Sequence, residues 1–537
     1  MIADSRLPIT IEHLVDLNQN NAESWFNRGY ALMQNGRVGE AIEAYQRAIA
    51  VRSDYPQAWN NLGHALLQSG NVSAAIHSFQ QALALRPGHV QTQYGLARAL
   101  RLAGRRREAI ELLEQSLSLQ PDFPPALDEL SALLADEGRD DEAIAAMQRL
   151  CALQPNVPEA HNRLGALLAD RDVDEAIARF QQALSVRPDY AEATSNLGLA
   201  LAQAGRLDEA EAAHRKALQI APAYAEARWN LALLQLQRGN YDEGWKNYEA
   251  RRQRVPSVIH RSLAGPMWDG SDLNGRRILL HSEQGFGDTI QFVRYAPLVA
   301  ERGGKVVLSC QPQLLRLLKT VERVEQVIST SDPLPEFDVQ CPLGTLPLRF
   351  GTTVSTIPSN VPYLFADPGQ VADWRQRLSR EPGNLKVGIA WAGNPARAKN
   401  SQRSIDPQLL RPLSQIPQVT LVSLQKGSAI SGSASALDQS PEVVDWTGDL
   451  HDFADTAALV CALDLVVTVD TAVAHLAGAL GRPVWLMLSA AGDWRYLFDR
   501  EDSPWYQTMR IFRQPKFGDW KSAVTKIAGE LTRLQAA

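Results

Sequence analysis

An all-α repeat array followed by an α/β part of two doubly wound lobes is the architecture that this 537-residue sequence predicts. Three observations carry it. A small residue recurs at Gly29, Gly63, Ala97, Ser131, Gly165, Gly198 and Ala232, in steps of 34 residues with one step of 33. The period disappears after Pro256, and from Arg276 short apolar runs alternate with helical spacing, the pattern of a sheet wound with helices. A chain of this length is also far beyond one hydrophobic core, so two or three domains are expected.

Composition excludes several classes. With 45% apolar and 21% charged residues the chain is an ordinary globular one, and its net charge of -6 argues against a generic nucleic-acid binder. The basic cluster RLAGRRREA, Arg101 to Ala109, falls in a turn between helices and reads as solvated. Cys151, Cys310, Cys341 and Cys461 are scattered in apolar surroundings without C-x-x-C spacing, which suits core thiols in a reducing compartment. MIADSRLPITIEHL has no basic-then-apolar leader pattern, and Asp464, Asp470 and His475 interrupt the most apolar long stretch. The expectation is a cytoplasmic protein without a membrane span.

Two further registers share the period of the small residues: Ala41, Ala75, Ala109, Ala143, Ala176, Ala210 and Gly244, then Pro87, Pro121, Pro155, Pro188, Pro222 and Pro256. The unit WNNLGHALLQSGNVSAAIHSFQQALALRP, Trp59 to Pro87, resembles the tetratricopeptide repeat, in which small residues let paired helices approach and a proline follows the second helix. Seven such repeats fill residues 1–256, and their stacking implies a concave groove. Asn27, Asn61, Asn196 and Asn230 each stand two residues before a small residue, while Gly95, Glu129 and Arg163 interrupt the series. Their amides either grip the backbone of an extended polypeptide partner or bond neighbouring repeats. The string Asp172-Val173-Asp174 imitates a metal-binding D-x-D, but Asp174 aligns with Asp141, Asp208 and Asp242 at helix starts and is expected to cap a helix. No metal site is expected.

In the second half, ILLHSE, KVVLSC and the segments around Val327 and Val339 read as strands, with helices at Asp288 to Arg302 and Gln313 to Thr320. KVGIAWAG, VTLVSLQ, LDLVVTVD and PVWLML supply a second set, with helices at Asp406 to Ile416, Asp452 to Leu463, Thr471 to Leu480 and Asp519 to Leu534. The expected division is a first lobe over 257–365, a proline-rich linker over 366–384 and a second lobe over 385–537.

The stretch from Leu465 to Leu488 is a strand-turn-helix-strand unit, in which Asp470 ends the strand and Thr471, Ala472 and Val473 form the first helical turn. Such a turn offers N–H groups and a positive dipole end to an anion. Asp470 is then an anion-site flank or simply an N-cap, and His475 a donor or a packed helix histidine. Gly285 and Gly287 in HSEQGFGDTIQF permit close backbone approach at another strand end, with Asp288 at the mouth of the cleft or capping its own helix. Asn394, Lys399, Arg403, Gln425 and Lys426 lie at the carboxyl edge of the sheet that carries Asp470, where a diphosphate needs donors and cations.

GFGD and DTAVAHLAGALGRPV resemble the heptosyltransferase-type family of glycosyltransferases, a two-lobed GT-B fold without a metal, over roughly Arg276 to Ala537. The order of repeats before lobes is similar to that of the O-linked N-acetylglucosamine transferases. The first resemblance implies that Asp288 is the catalytic base and that Asp470, Thr471 and His475 hold a nucleotide-sugar diphosphate. Two departures are visible: Ala472 replaces the family's glycine after Asp-Thr, and NPARAKNSQRS replaces its lysine-bearing loop. The expected activity is inverting transfer of a sugar from a nucleoside diphosphate sugar, without a cofactor, to an acceptor, foremost a protein held by the repeats. The rival expectation is a protein-interaction scaffold whose lobes bind nucleotide without turnover.

Overall fold

The computed structural model describes residues 21–254, 263, 265–393, 403–426, 443–490, 492–498 and 500–536. They fall into two compact units, one up to Ala213 and one from His214 onward.

The first unit is helical throughout its described residues. Its pairs are α1 (Ala22–Gln34) with α2 (Val38–Val51), α3 (Pro56–Gln68) with α4 (Val72–Leu85), and α5 (Val90–Leu102) with α6 (Arg106–Leu119). Then come α7 (Pro124–Asp136) with α8 (Asp140–Leu153), α9 (Pro158–Leu168) with α10 (Val173–Val186), and α11 (Ala191–Gln203), which α12 (Leu207–Ile220) follows. At three of the small residues the space is taken by a ring: a Cβ on Gly29 would stand 2.7 Å from Tyr45, one on Gly63 2.7 Å from Phe79, and one on Gly165 2.7 Å from Phe180. The alanines of the second register, from Ala41 to Ala210, are fully buried against this contact. Between the paired helices, Gly36, Gly70, Gly104, Gly138 and Gly205 take φ of 74° to 82°, which only glycine adopts without strain.

The single 33-residue step is a loss of that glycine. Between α9 and α10 the turn is Ala169-Asp170-Arg171, and Asp172 caps α10 by accepting from the Glu175 N–H at 3.0 Å. The aspartate that caps is therefore Asp172, while Asp174 sits in the first turn and contributes through the helix dipole.

The second unit takes in the end of α12 and then the last repeat, α13 (Ala225–Gln237) and α14 (Tyr241–Tyr248), followed by α15 (Arg251–Arg254). Trp245 is buried, its indole N–H donates to the Thr352 carbonyl at 3.0 Å, and the rings of Tyr241, Tyr248, Phe292, Trp494 and Trp505 surround it. Aromatic pairs of this kind contribute about 0.5–1.5 kcal/mol each beyond the area they bury. The final repeat thus shares a core with the α/β part, although its period continues that of the array.

Two all-parallel sheets follow. The first has the order β3 (Val324–Ser329), β2 (Lys305–Cys310), β1 (Arg277–His281), β4 (Val339–Pro342). The second has the order β10 (Met509–Arg513), β9 (Val484–Leu488), β8 (Leu465–Val469), β5 (Leu385–Ala390), β6 (Val419–Ser423), β7 (Val443–Val444). Strands β8 and β9 are buried at every position, which is why they read as unbroken apolar runs. The sequence pattern omitted β7, of only two residues, and β10, whose Arg510 and Arg513 break the apolar run.

Four helix assignments differ from the expectation, one of them Asp406 to Ile416, which is a 3₁₀ turn at Pro407–Leu410 and a single turn at Arg411–Ser414. The helix over Asp288 to Arg302 is α16 (Phe286–Phe292), a 3₁₀ turn at Val293–Tyr295 and α17 (Ala296–Glu301), with Pro297 in the first turn of the last. The helix over Gln313 to Thr320 is a 3₁₀ turn and the single turn α18 (Leu315–Leu318); a single turn, α19 (Leu346–Arg349), also follows β4. The proline-rich linker contains α20 (Pro368–Leu378): Pro368 occupies its first turn, and Asp367 caps it by accepting from the Gln370 N–H at 2.8 Å. Beyond it lie the single turn α21 (Arg411–Ser414), α22 (Phe453–Ala462), α23 (Ala472–Ala479) and α24 (Trp520–Ala536).

Candidate functional site

Strand order fixes where a ligand can sit. In the second sheet the chain leaves β5 toward β6 on one side and returns to β8 on the other, so the switch point lies between β5 and β8. In open parallel sheets the crevice beyond the carboxyl ends at such a point is the ligand site. Asp470 follows β8 there, and Thr471 is the N-cap of α23, its hydroxyl accepting from the Val473 N–H at 3.3 Å. Thr471 rather than Asp470 caps the helix, and Ala472 is its first residue. Asp470 is held otherwise: the Tyr496 hydroxyl donates to its Oδ1 at 2.9 Å.

The first sheet has its own switch point between β1 and β4, and β1 leads into the glycine turn. Gly285 is the N-cap of α16. Asp288 Oδ2 accepts from the Gly285 N–H at 2.9 Å, the capping role foreseen for it. Gly287 packs on α23: a Cβ there would stand 2.6 Å from His475 Cδ2. The two motifs, 188 positions apart, meet through a glycine that leaves room for an imidazole.

Arg495 joins the same place. Its Nη2 donates to Asp288 Oδ1, its Nε to Gln291 Oε1, and its Nη1 to Asp493 Oδ1 at 2.9 Å. The guanidinium lies 4.4 Å from the Trp494 ring centre, and its side chain is 9% exposed. Burial works against its charge, but Asp493 and Asp288 outweigh that and keep it charged. Burial pushes the Asp470 carboxyl up to about 6, with the Asp493 charge adding to the rise and Arg495, Tyr496 and Arg403 opposing it. His475, 4.0 Å from Asp470 through Nε2 and paired through Nδ1 with the Tyr506 hydroxyl at 2.9 Å, has its pKa driven well below 6.5 by burial and by Arg495 and Arg294. It is a neutral imidazole at neutral pH, able to position or donate but not to supply positive charge.

A second buried ion pair supports the glycine turn from behind. Arg251 of α15 donates from Nε and Nη2 to Glu283 Oε1 at 2.8 and 2.6 Å, and from Nη2 to Thr345 Oγ1 at 2.6 Å. Glu283 follows β1 and Thr345 follows β4, so the guanidinium fills the switch point of the first sheet. The Tyr248 hydroxyl donates to Gln284 Oε1 at 3.1 Å beside it.

Of the residues singled out in the sequence, Gly285, Gly287, Asp288, Asp470, Thr471, Ala472 and His475 converge. Gln425 and Lys426 are engaged in holding loops: Gln425 Oε1 accepts from the Trp391 and Ala392 N–H groups at 3.1 and 2.9 Å, and Lys426 Nζ donates to the Leu450 carbonyl. Arg403 is near enough for its charge to act on Asp470. Asn394 and Lys399 lie outside the described residues. The asparagine series divides. Asn27 is exposed, Asn61 is half-buried and takes a hydrogen bond from Asn60 at 3.2 Å, and Asn196 donates to Asn162 of the preceding repeat at 2.9 Å. Asn230 is buried. Arg495, Asp493 and Tyr496 were missed, although GDWRY follows β9 at the carboxyl edge of the same sheet.

Among the described residues no group of three or more His, Cys, Asp or Glu side chains is placed to hold a metal ion, and no helix is long and apolar enough to cross a membrane.

The N-terminal region is a tetratricopeptide repeat array. Tetratricopeptide repeat family models match residues 10–43, 54–122, 94–158 and 165–225, and a TPR repeat model matches residues 29–70. The chain is 30% identical over 319 residues to Protein FlbA of Caulobacter vibrioides, a match that covers 55% of this chain. The match covers 53% of that protein, so this chain spans about half the length of the curated relative. Among solved structures it is similar to YrrB, described as a TPR protein with an unusual peptide-binding site, at 24% identity and a TM-score of 0.32 over 35% of this chain and 96% of that one. It is also similar to MamA, at 26% identity and a TM-score of 0.29 over 31% of this chain and 97% of that one.

Proposed function

We propose that the C-terminal unit is an inverting, metal-independent glycosyltransferase of GT-B type, using a nucleoside diphosphate sugar, and that the repeats hold a polypeptide acceptor. The observation that carries this is the contact of Gly287 with His475, which brings the GFGD turn of one parallel sheet onto the helix that starts at the switch point of the other. A donor diphosphate would rest at the first turn of α23, where the dipole and N–H groups favour an anion. An acceptor hydroxyl would then attack the anomeric carbon as the bond to the diphosphate breaks, with its proton passing to Asp288 and the electron pair leaving on the diphosphate. His475 would act as a neutral hydrogen-bonding group.

The scaffold alternative draws support from one observation: Asp288 gives one carboxylate oxygen to Gly285 and the other to Arg495, an arrangement suited to a static cap. The test is to incubate the purified chain with nucleoside diphosphate sugars carrying labelled sugar and with soluble protein from its source cells. Label entering protein with the wild type and lost with Asp288→Asn supports transfer. Stoichiometric nucleotide binding without label in any product supports the scaffold.

A further inference from the structure

A carboxylate that is to accept a proton is poorly served by a guanidinium bonded to it. Asp288 is in that position, and its partner Arg495 is shared with Asp493 and Gln291 in a buried cluster that also contains Asp470. A buried guanidinium needs compensating charge wherever it points. A diphosphate at the first turn of α23 is a strong competitor for it, since guanidinium–phosphate pairs are bidentate and charge-assisted. Tyr496, the residue after Arg495, already bonds to Asp470 at the foot of that helix, so the side chain has only to swing within one cluster.

We propose that Arg495 is a donor-binding residue that exchanges partners, leaving Asp288 for the diphosphate of the incoming nucleotide and so releasing Asp288 as base only once the donor is bound. This rests on the donor-site assignment proposed above and adds an order to it: donor first, acceptor proton second. Asp493 keeps the guanidinium anchored through the exchange. The base is thereby held paired with cation and backbone N–H while the site is empty.

Exchange has a signature that a structural ion pair lacks. If Asp288 and the diphosphate compete for one guanidinium, removing the Asp288 charge favours the nucleotide. Calorimetric affinities for UDP, ADP and GDP would be measured on the full chain for wild type, Asp288→Asn, Arg495→Gln, Arg495→Lys and the Asp288→Asn/Arg495→Gln pair, with folding checked by thermal midpoint. The expected results are that Asp288→Asn binds the preferred nucleotide about threefold to tenfold more tightly, that Arg495→Gln binds it about tenfold more weakly, and that the gain from Asp288→Asn vanishes in the pair. Arg495→Lys, which keeps the charge, falls between. Asp288→Asn is nearly isosteric and leaves Arg495 paired with Asp493, so it carries the test even if Arg495→Gln does not fold. Unchanged or weaker binding by folded Asp288→Asn overturns the exchange and leaves the donor site standing. No binding of any of the three nucleotides by wild type overturns both.

Discussion

The Gly287 backbone lies against the His475 imidazole with no room for a methyl group: a Cβ would stand 2.6 Å from Cδ2 and 3.2 Å from Nε2. His475 is 5% exposed and tied to Tyr506, so it has little freedom to retreat. Alanine would suit α16 on helix propensity, but overpacking a buried contact costs about 1–3 kcal/mol and outweighs that gain. Gly287→Ala is expected to lower the unfolding midpoint of the C-terminal unit, and Gly287→Ala/His475→Ala to lower it by less than the sum of the single changes. Additivity, measured by denaturant unfolding of the four proteins, would mean that the contact does not govern the packing.

Asp470 sets a pH dependence of stability. Its carboxyl is pushed up to about 6 from 3.8, chiefly by burial, so the folded state holds the extra proton and loses relative stability as pH rises from about 4 to 6. Above that window the penalty is complete. Asp470→Asn, which can still accept from Tyr496, is expected to be more stable than wild type by about 1–3 kcal/mol at pH 7.5, with the gain fading at pH 4.5. His475 titrates in the opposite sense, costing stability as pH falls below about 6.5, but both proteins contain it and the difference isolates Asp470. A stability difference that stays constant from pH 4.5 to 7.5 contradicts the assignment.

Arg251 and Glu283 are buried partners with side-chain exposures of 4% and 3%. Arg251→Ala strands a carboxylate whose Oε2 already has no hydrogen-bond partner among the described residues, and removing one partner of such a pair costs about 3–5 kcal/mol. Glu283→Gln is expected to cost less, because the amide oxygen still accepts from Arg251. Thermal unfolding would detect both, and a C-terminal transition indifferent to Arg251→Ala would separate α15 from the core.

The fold was legible wherever local chemistry repeats. The 34-residue period registers paired helices packed close at small residues, with a ring over Gly29, Gly63 and Gly165, and the apolar runs β8 and β9 register strands covered on both faces. Illegible parts depend on long-range partners. Pro368 and Pro382 suggested a linker over 366–384, although Asp367 before Pro368 is itself a local helix-start signal. At the site, Asp288 and His475 were found through their strand-to-helix turns, while Arg495 was not, because its role comes from partners 204 and 207 positions away. Gln425 and Lys426 shared the correct sheet edge, but each closes a loop.

Asn196 and Asn27 separate the two roles suggested for the asparagine series. Asn196 joins consecutive repeats, so Asn196→Ala is expected to lower the stability of the repeat array by about 0.5–1.5 kcal/mol. Exposed Asn27→Ala should leave it unchanged. Unfolding followed by circular dichroism reads both, and equal effects would mean that the Asn196–Asn162 bond is not a structural link.

Thermal unfolding of the full chain with UDP, ADP, GDP and their sugars reads the donor site without an acceptor. One nucleoside diphosphate series is expected to stabilise the C-terminal transition, by roughly 2.7 kcal/mol at a hundred times its dissociation constant. His475→Ala, folded by the same criterion, is expected to lose most of that stabilisation. No stabilisation by any of them at millimolar concentration, or one undiminished in His475→Ala, would contradict a donor site where α23 meets the glycine turn.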